Sequence, residues 1–133
     1  MTYAWTAEDY ATLAQLSSAR GIDPAQVALI FLWESGLNPA SAGPAGANVG
    51  GLNQMSAANL SNLGLTMAQW VQMTAAEQLP YIFEWWDSLA KSDNNGVFPG
   101  DGGTLYALNF LPGSFKNVGA GSNENAVVAA SEE

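Results

Sequence analysis

The sequence contains no cysteine and no histidine among its 133 residues. Without cysteine, neither a disulfide framework nor a thiolate metal site can form. Without histidine, the chain cannot use Ser-His-Asp or Cys-His catalysis, bind zinc through imidazole or sense pH through a histidine. Acid–base chemistry therefore falls mainly to carboxylates, and we expect neither a metal site nor a cofactor.

Basic residues are also scarce, since 3 Lys and Arg face 12 Asp and Glu for a formal net charge of −9. Binding of nucleic acid needs clustered Lys and Arg, so nucleic acid is not an expected partner. The longest apolar run, residues 27–33, is too short to span a bilayer, and no membrane insertion is expected. Residues 1–9 lack the basic and apolar segments of a signal peptide, so we expect another agent to deliver the protein.

Helix-capping signals divide the chain into a series of helices. Ser, Thr or Asp before an apolar periodic segment predicts a helix start, because its side chain accepts hydrogen bonds from the first turn. In the second helix, residues 27–33 are apolar on every side, which predicts a central buried helix that ends at Gly36. Pro80 predicts a kink near Ala76 or a separate first turn in the longest helix. The predicted helices follow Thr6, Asp23, Ser56, Thr66 and Thr74, and the last one spans 104–111.

Residues 37–54, between the second and third predicted helices, are rich in Gly, Pro, Ala, Ser and Asn. This composition suits a loop or a short hairpin. We therefore predict an all-α fold over residues 1–116, a compact helical domain with one irregular lobe after its second helix. Residues 117–133 are small, polar and acidic apart from a few valines, and we expect a flexible or partner-bound tail.

Glu34 is the best placed acid–base group in the sequence. Its neighbours Trp33 and Leu37 are apolar, so desolvation is expected to raise its pKa. It lies in the last turn of a helix, where the negative end of the dipole disfavours a carboxylate. A general acid must hold its proton near neutral pH, and both features favour that state. The alternative is a helix-end carboxylate that simply reaches solvent.

Three blocks around Glu34 resemble the lytic transglycosylase (SLT-type) branch of the lysozyme-like superfamily. They read Glu-Ser-Gly-Leu-Asn-Pro-Ala from Glu34, Gly-Pro-Ala-Gly from Gly43 and Gly-Leu-Asn-Gln from Gly51. Asn-Phe-Leu-Pro-Gly from Asn109 is similar to the element that closes the family's domain. Residues 74–79 and the following aromatics resemble phage and prophage versions. The resemblance implies an α+β lysozyme-like form of the helical fold.

The resemblance also implies cleavage of the β-1,4 bond between N-acetylmuramic acid and N-acetylglucosamine, with the peptidoglycan glycan strand as partner. It implies that Glu34 is the single acid and then base, because the sugar's own acetamido group can assist, an exception to the two-carboxylate scheme. Gln54 is expected beside the substrate, and Asn109 near the catalytic carboxyl. The remaining expected substrate-binding residues are Ser35 and Asn53 from the matching blocks and Trp85, which lies off the apolar stripe of its helix.

Alternatives remain for several of these residues. Gln54 can instead hydrogen-bond loop backbone, and Asn109 can serve a cap or the core. The family usually has Tyr just before the Asn, where this chain has Leu108, so a hydroxyl near the catalytic carboxyl is expected to be missing. Tyr106, two residues before Leu108, is expected to point elsewhere on the helix.

The rival to an enzyme is a structural or binding module that kept the fold and lost turnover. It is favoured by the Leu at position 108, by the acidic charge and by the tail. A wall enzyme that diffuses freely gains from positive charge, whereas one held in an assembly does not need it. We therefore expect a component of a virion or tail-like particle, bound to virion or tail proteins through residues 117–133 and delivered to the periplasm or cell wall.

Overall fold

The computed structural model of the chain describes residues 3–110, which are mostly helical with one small sheet. Strand β1 (Val49–Gly50) pairs antiparallel with β2 (Met55–Ser56), with Val49 opposite Ser56 and Gly50 opposite Met55. The prediction of a helical domain with a short hairpin after the second helix is confirmed, while the predicted tail lies outside the described residues. The helices are α1 (Ala7–Ser18), α2 (Pro24–Ser35), α3 (Ala57–Asn62), α4 (Met67–Trp70), α5 (Ala75–Asp93) and α6 (Gly102–Phe110).

The predicted caps set the helix ends. Asp23 accepts a hydrogen bond from the Ala25 amide with Pro24 at the first helical position, and Gly36 ends α2 in the left-handed conformation at φ 64°. Both helix ends are determined locally. The Asp23 carboxylate accepts from a backbone N–H that has no partner within the helix, and Gly36 has no Cβ that would clash in the left-handed conformation. Reciprocal capping boxes join Thr6 to Asp9, Thr66 to Gln69 and Thr74 to Glu77.

Helix α5 is the centre of the core. Its predicted apolar face is fully buried at Leu79, Ile82, Phe83 and Trp86. Phe31 of α2 stacks on Trp86 with ring centroids 5.8 Å apart, so α2 is fixed against α5 by aromatic contact. The helix is continuous from Ala75 to Asp93 and Pro80 lies on its exposed side, so a separate first turn is not formed.

The prediction that residues 27–33 are buried on every side is wrong. Val27, Ile30 and Phe31 pack into the core, but Leu29, Leu32 and Trp33 are 63%, 45% and 71% exposed. A helix packed on one face buries only that face, and uniform apolarity does not reveal which face this is. Within residues 3–110, no helix is long and apolar enough to cross a membrane.

One buried amide holds the hairpin lobe against α5. The Gln78 side chain accepts a hydrogen bond from the Leu52 amide at 3.0 Å and donates to the Pro39 and Trp70 carbonyl oxygens, each at 2.7 Å. It is fully buried, and these three partners satisfy its amide in a place where an unpaired polar group would be costly. The lobe is therefore held at a defined position relative to the end of α2.

Gly51 is the tightest backbone position in the lobe. Its φ is +80°, and a Cβ built there would collide with the indole ring of Trp70. The Trp70 indole N–H donates to the Gly50 carbonyl oxygen at 3.0 Å, so the ring lies flush against the backbone. Only glycine fits both the left-handed conformation and the close approach.

Candidate active site

Glu34 is the second-last residue of α2 and is half-buried at the surface of the domain. Burial raises the pKa of its carboxyl group above the ordinary value of 4.5, because desolvation disfavours the charged form. The Tyr106 hydroxyl donates to Glu34 Oε1 at 3.3 Å and opposes this effect by stabilising the carboxylate. The net direction is upward, so the proton is held more tightly than on an ordinary glutamic acid.

The position of Tyr106 corrects the expectation that it points elsewhere. Helix α6 packs against α2, and its Tyr106 faces Glu34 while Leu108 is fully buried in the core. Spacing within α6 shows which residues share a face but not which face meets α2. A hydroxyl therefore does lie next to the Glu34 carboxyl, and it comes from Tyr106 because position 108 is a leucine.

Ser35 lies at the junction between α2 and the hairpin lobe. Its Oγ is 3.0 Å from the Phe31 carbonyl oxygen and 2.9 Å from the Leu52 carbonyl oxygen. Its hydroxyl thus lies within hydrogen-bond distance of backbone oxygens of α2 and of the lobe, and the predicted contact of Ser35 with a substrate stays a prediction. Through these backbone contacts Ser35 fixes the end of the helix that carries Glu34.

Gln54 is half-buried in the lobe and adopts a left-handed backbone conformation at φ 54°. Its side-chain Nε2 donates to the Gly51 carbonyl oxygen at 3.0 Å, which is the local backbone role weighed as its alternative. A non-glycine residue at positive φ stores strain and persists only where surrounding contacts hold it. The lobe therefore constrains Gln54 in its observed position.

Asn53 and Asn109 lie in the core, with 0% and 7% of their surface exposed. Asn109 Oδ1 accepts hydrogen bonds from Asn53 Nδ2 at 3.1 Å and from the Trp86 indole at 2.8 Å. Asn109 Nδ2 lies 3.4 Å from the Asn53 carbonyl oxygen. Asn53 Nδ2 and Asn109 Oδ1 thus take part in hydrogen bonds within the core, and the contact of either residue with a substrate stays a prediction.

An open pocket of about 520 Å³ lies between α2 and the start of α6, and Glu34 does not line it but lies next to two residues that do, Trp33 in the sequence and Tyr106 through its hydroxyl. Exposed Trp33 and Leu29 form part of its wall, and Tyr106 is shared between the pocket and the Glu34 carboxyl. Trp85, the predicted aromatic of the groove, is half-buried against the core and is not part of the wall. The lining residues are Gln26, Leu29, Ile30, Trp33, Gly102, Gly103 and Tyr106.

Trp33 and Tyr106 belong to the candidate site, although neither is a predicted site residue. A signal for Trp33 was available, because Gln26, Leu29 or Ile30 and Trp33 recur at helical spacing and form one stripe on α2. The uniform apolarity of residues 27–33 concealed it. For Tyr106 the sequence carries no comparable signal, because its partner Glu34 lies 72 residues earlier in the chain, on α2.

The start of α6 is held close to α2 by Gln26. The Gly102 amide donates a hydrogen bond to Gln26 Oε1, and a Cβ at position 102 would lie 3.2 Å from Gln26 Cβ. Asp101 caps α6 by accepting from the Thr104 amide at 2.8 Å and from its hydroxyl at 2.9 Å. Glycine at position 102 lets the two helices meet and shapes one end of the pocket.

The chemistry available here is that of one carboxyl group, one phenol and an apolar wall. Within residues 3–110, no group of three or more Asp or Glu side chains could hold a metal ion. Comparison with known protein families, with curated proteins and with solved structures finds no match to this chain. The function of the site therefore rests on its own geometry and chemistry.

Proposed function

We propose that the protein is a peptidoglycan-cleaving glycosidase of lytic transglycosylase type, with a lysozyme-like helical fold and Glu34 as acid and then base. One observation carries the proposal. A half-buried carboxyl group with a raised pKa accepts a hydrogen bond from a phenol at the edge of an open pocket. Carboxyl groups whose pKa is raised by burial close to an open pocket are candidates for catalytic groups.

In the first step Glu34 donates its proton to the glycosidic oxygen. The C1–O bond breaks, its electron pair leaves with that oxygen, and the acetamido oxygen of the muramic residue can supply electrons to C1. Burial favours the protonated carboxyl before the step. The Tyr106 hydroxyl then stabilises the carboxylate that remains, because a hydrogen bond to an ionised acceptor is stronger than one to a neutral acceptor.

In the second step the oxygen of the attacking group forms a bond to C1, the acetamido oxygen leaves C1 with its electron pair, and the Glu34 carboxylate takes the proton of the attacking group. If that group is the C6 hydroxyl of the same sugar, the product carries a 1,6-anhydro ring. If it is water, the product carries a reducing end. Both routes return the carboxyl group to its starting state, so one acid serves both steps.

The test is release of muropeptides from purified peptidoglycan by the wild-type chain and by Glu34→Gln. Glutamine keeps the size and polarity of the side chain but cannot donate an acidic proton, so release should fall at least 100-fold, within the range typical of general acid catalysis. Mass spectrometry of the products separates 1,6-anhydro ends from reducing ends. Absence of release by the wild type, or equal release by Glu34→Gln, rejects the proposal.

A non-catalytic binding or structural module is the second candidate. The burial of Asn53 and Asn109 favours it, because two residues expected to contact the substrate expose 0% and 7% of their surface. A module of this kind should bind the glycan strand or a partner protein with equal affinity in the wild type and in Glu34→Gln. Binding without release, unaffected by this substitution, would support the module over the enzyme.

We also propose that a virion or tail-like particle carries the protein to the periplasm or cell wall. The support is the net charge of −9, which gives a freely diffusing chain no attraction to anionic wall polymers. The expected partners are virion or tail proteins that bind residues 117–133. Immunoblotting of purified particles should detect the protein, and its absence from them while free chain is present in host cytosol would count against this location.

A further inference from the structure

Helix α2 ends, just after Glu34, in two consecutive residues with a left-handed backbone. Gly36 and Leu37 both have a φ of 64°. Glycine adopts this conformation without strain, whereas the Cβ of a leucine is crowded there, so Leu37 keeps it only where other contacts hold it. The orientation of Glu34 therefore depends on what holds this turn.

The N-terminal segment, residues 3–5, supplies two of these contacts. The Tyr3 amide donates a hydrogen bond to the Gly36 carbonyl oxygen at 3.1 Å, and the Trp5 indole N–H donates to the Leu37 carbonyl oxygen at 2.7 Å. Carbonyl groups at the end of a helix have no partner within the helix, so a donor from another part of the chain can satisfy them. The segment thus binds both residues of the left-handed turn.

Trp5 is itself held by aromatic contacts. The centroid of its ring lies 5.3 Å from that of Tyr10 in α1 and 6.5 Å from that of Phe31 in α2, and the side chain is partly buried against the core. Phe31 in turn stacks on Trp86 of α5. Because these contacts fix the ring, its N–H is a fixed donor that restrains the Leu37 carbonyl group.

The contact between Glu34 and Tyr106 is sensitive to the orientation of the last turn of α2. The Tyr106 hydroxyl lies 3.3 Å from Glu34 Oε1, which is longer than the range of about 2.5–3.0 Å usual for a hydrogen bond between two oxygens. A small rotation of the turn is therefore enough to break it. Ser35, the residue between Glu34 and the left-handed turn, attaches the same turn to the Leu52 carbonyl oxygen at 2.9 Å.

We infer that Trp5 is a positioning residue for Glu34. Its hydrogen bond to Leu37 holds the last turn of α2 in the orientation in which the Glu34 carboxyl meets the Tyr106 hydroxyl. The Tyr3 amide contributes to the same restraint. The inference rests on the proposed function for the role of Glu34 as acid and then base. Trp5 does not line the pocket, and its effect on the reaction is transmitted through Glu34.

The test follows the NMR signals of the Tyr106 ring in the full chain from about pH 3 to about pH 8, where a carboxyl group titrates and a phenol does not. In the wild type these signals should shift as Glu34 ionises, because the phenol donates to its carboxyl group. Trp5→Phe keeps an aromatic ring but removes the N–H donor, so the shift should fall by about half or more. Circular dichroism checks that the variant is folded.

Tyr10→Leu is the matched control for Trp5→Phe. It removes the ring that contacts Trp5 but leaves the indole N–H in place, so the shift of the Tyr106 signals should equal that of the wild type. The control separates the hydrogen bond of Trp5 from the packing of its ring.

Two substitutions at position 3 test the backbone hydrogen bond by itself. Tyr3→Pro removes the amide N–H that donates to Gly36, whereas Tyr3→Ala removes the same side chain and keeps the amide. Tyr3 is 37% exposed, so the fold should tolerate both changes. The shift of the Tyr106 signals should be smaller in Tyr3→Pro than in Tyr3→Ala, which should resemble the wild type.

Kinetics on a soluble fragment of the glycan strand give a second measurement. Trp5→Phe should lower kcat about tenfold and change KM less than about twofold, because a misplaced catalytic group slows the chemical step without weakening substrate binding. Tyr10→Leu should change neither constant by more than about twofold. A Trp5 that only stabilises the fold would lower the melting temperature and leave both kcat and the Tyr106 signals of the folded protein unchanged.

The outcomes separate this inference from the proposed function. Tyr106 signals that do not shift in the wild type, or that shift equally in Trp5→Phe and the wild type, overturn the inference. If Trp5→Phe does not fold, equal shifts in Tyr3→Pro and Tyr3→Ala overturn it instead. If the wild type releases muropeptides all the same, the glycosidase proposal stands without it. A shift that depends on Trp5 in a protein without any release supports the positioning of Glu34 and rejects the enzyme.

Discussion

Replacement of Asn109 by alanine tests whether this residue supports the core or contacts a substrate. The substitution removes the oxygen that accepts from the Trp86 indole at 2.8 Å and from Asn53 Nδ2 at 3.1 Å. Each buried donor left without an acceptor costs about 1–3 kcal/mol, so the two together cost about 2–6 kcal/mol. Domains of this size have unfolding free energies of about 5–15 kcal/mol, so the loss is a large fraction of the total.

Urea unfolding followed by circular dichroism measures this loss directly. Gln54→Ala is the matched control, because Gln54 is also a predicted substrate-binding residue, but its half-buried side chain makes one hydrogen bond, to the Gly51 carbonyl oxygen. The control should cost about 0.5–1.5 kcal/mol, the usual net value of one such bond. Asn53→Ala combined with Asn109→Ala should cost less than the sum of the single changes, because each variant breaks the same contact.

A change of less than about 1 kcal/mol in the free energy of unfolding of Asn109→Ala, below the lower bound for unpaired buried donors, would refute the core role of Asn109. The substrate role that the sequence resemblance implies would then regain support, provided that the same variant loses glycan binding. A large stability loss with unchanged glycan binding supports the core role.

Three further predictions concern the site and its frame. Glu34→Gln should gain stability relative to the wild type as pH rises above about 4.5, because the raised pKa makes the folded wild type lose stability once the carboxyl ionises. Thermal unfolding of both proteins from pH 4 to pH 8 measures this difference. Tyr106→Phe should raise the pKa of Glu34 further, since it removes a hydrogen bond that favours the carboxylate, and should shift the alkaline limb of the kcat/KM profile to higher pH. Gly51→Ala should destabilise the fold by about 2–5 kcal/mol, from left-handed strain of about 1–2 and overpacking against Trp70 of about 1–3, measured by urea unfolding.

Each of these has a result that contradicts it. A stability difference between Glu34→Gln and the wild type that is constant with pH means that the carboxyl group is not desolvated in the folded chain. If the alkaline limb of the kcat/KM profile is the same in Tyr106→Phe as in the wild type, the Tyr106 hydroxyl does not affect the pKa of Glu34. Gly64→Ala is the control for Gly51→Ala, because Gly64 has a similar φ of +79° with open space around its Cβ, and equal losses would leave no role for the Trp70 contact.

The sequence by itself determined the local structure of this protein. The starts of α1, α2 and α5 follow from Thr6, Asp23 and Thr74, because a cap acts on amides within three residues of itself. The buried stripe of α5 follows from helical spacing for the same local reason. The sequence also predicts that Glu34 lies at the end of an apolar helix and that its pKa is raised.

The tertiary structure alone decided what surrounds Glu34. It turned Tyr106 toward the carboxyl, placed Asn109 in the core and left Trp33 exposed beside a pocket. The physical reason is that a helix defines which side chains share a face, whereas the choice of the face that is buried depends on the packing of all the helices together. Contacts between residues 72 positions apart, such as Tyr106 and Glu34, are set by that packing and not by any local pattern.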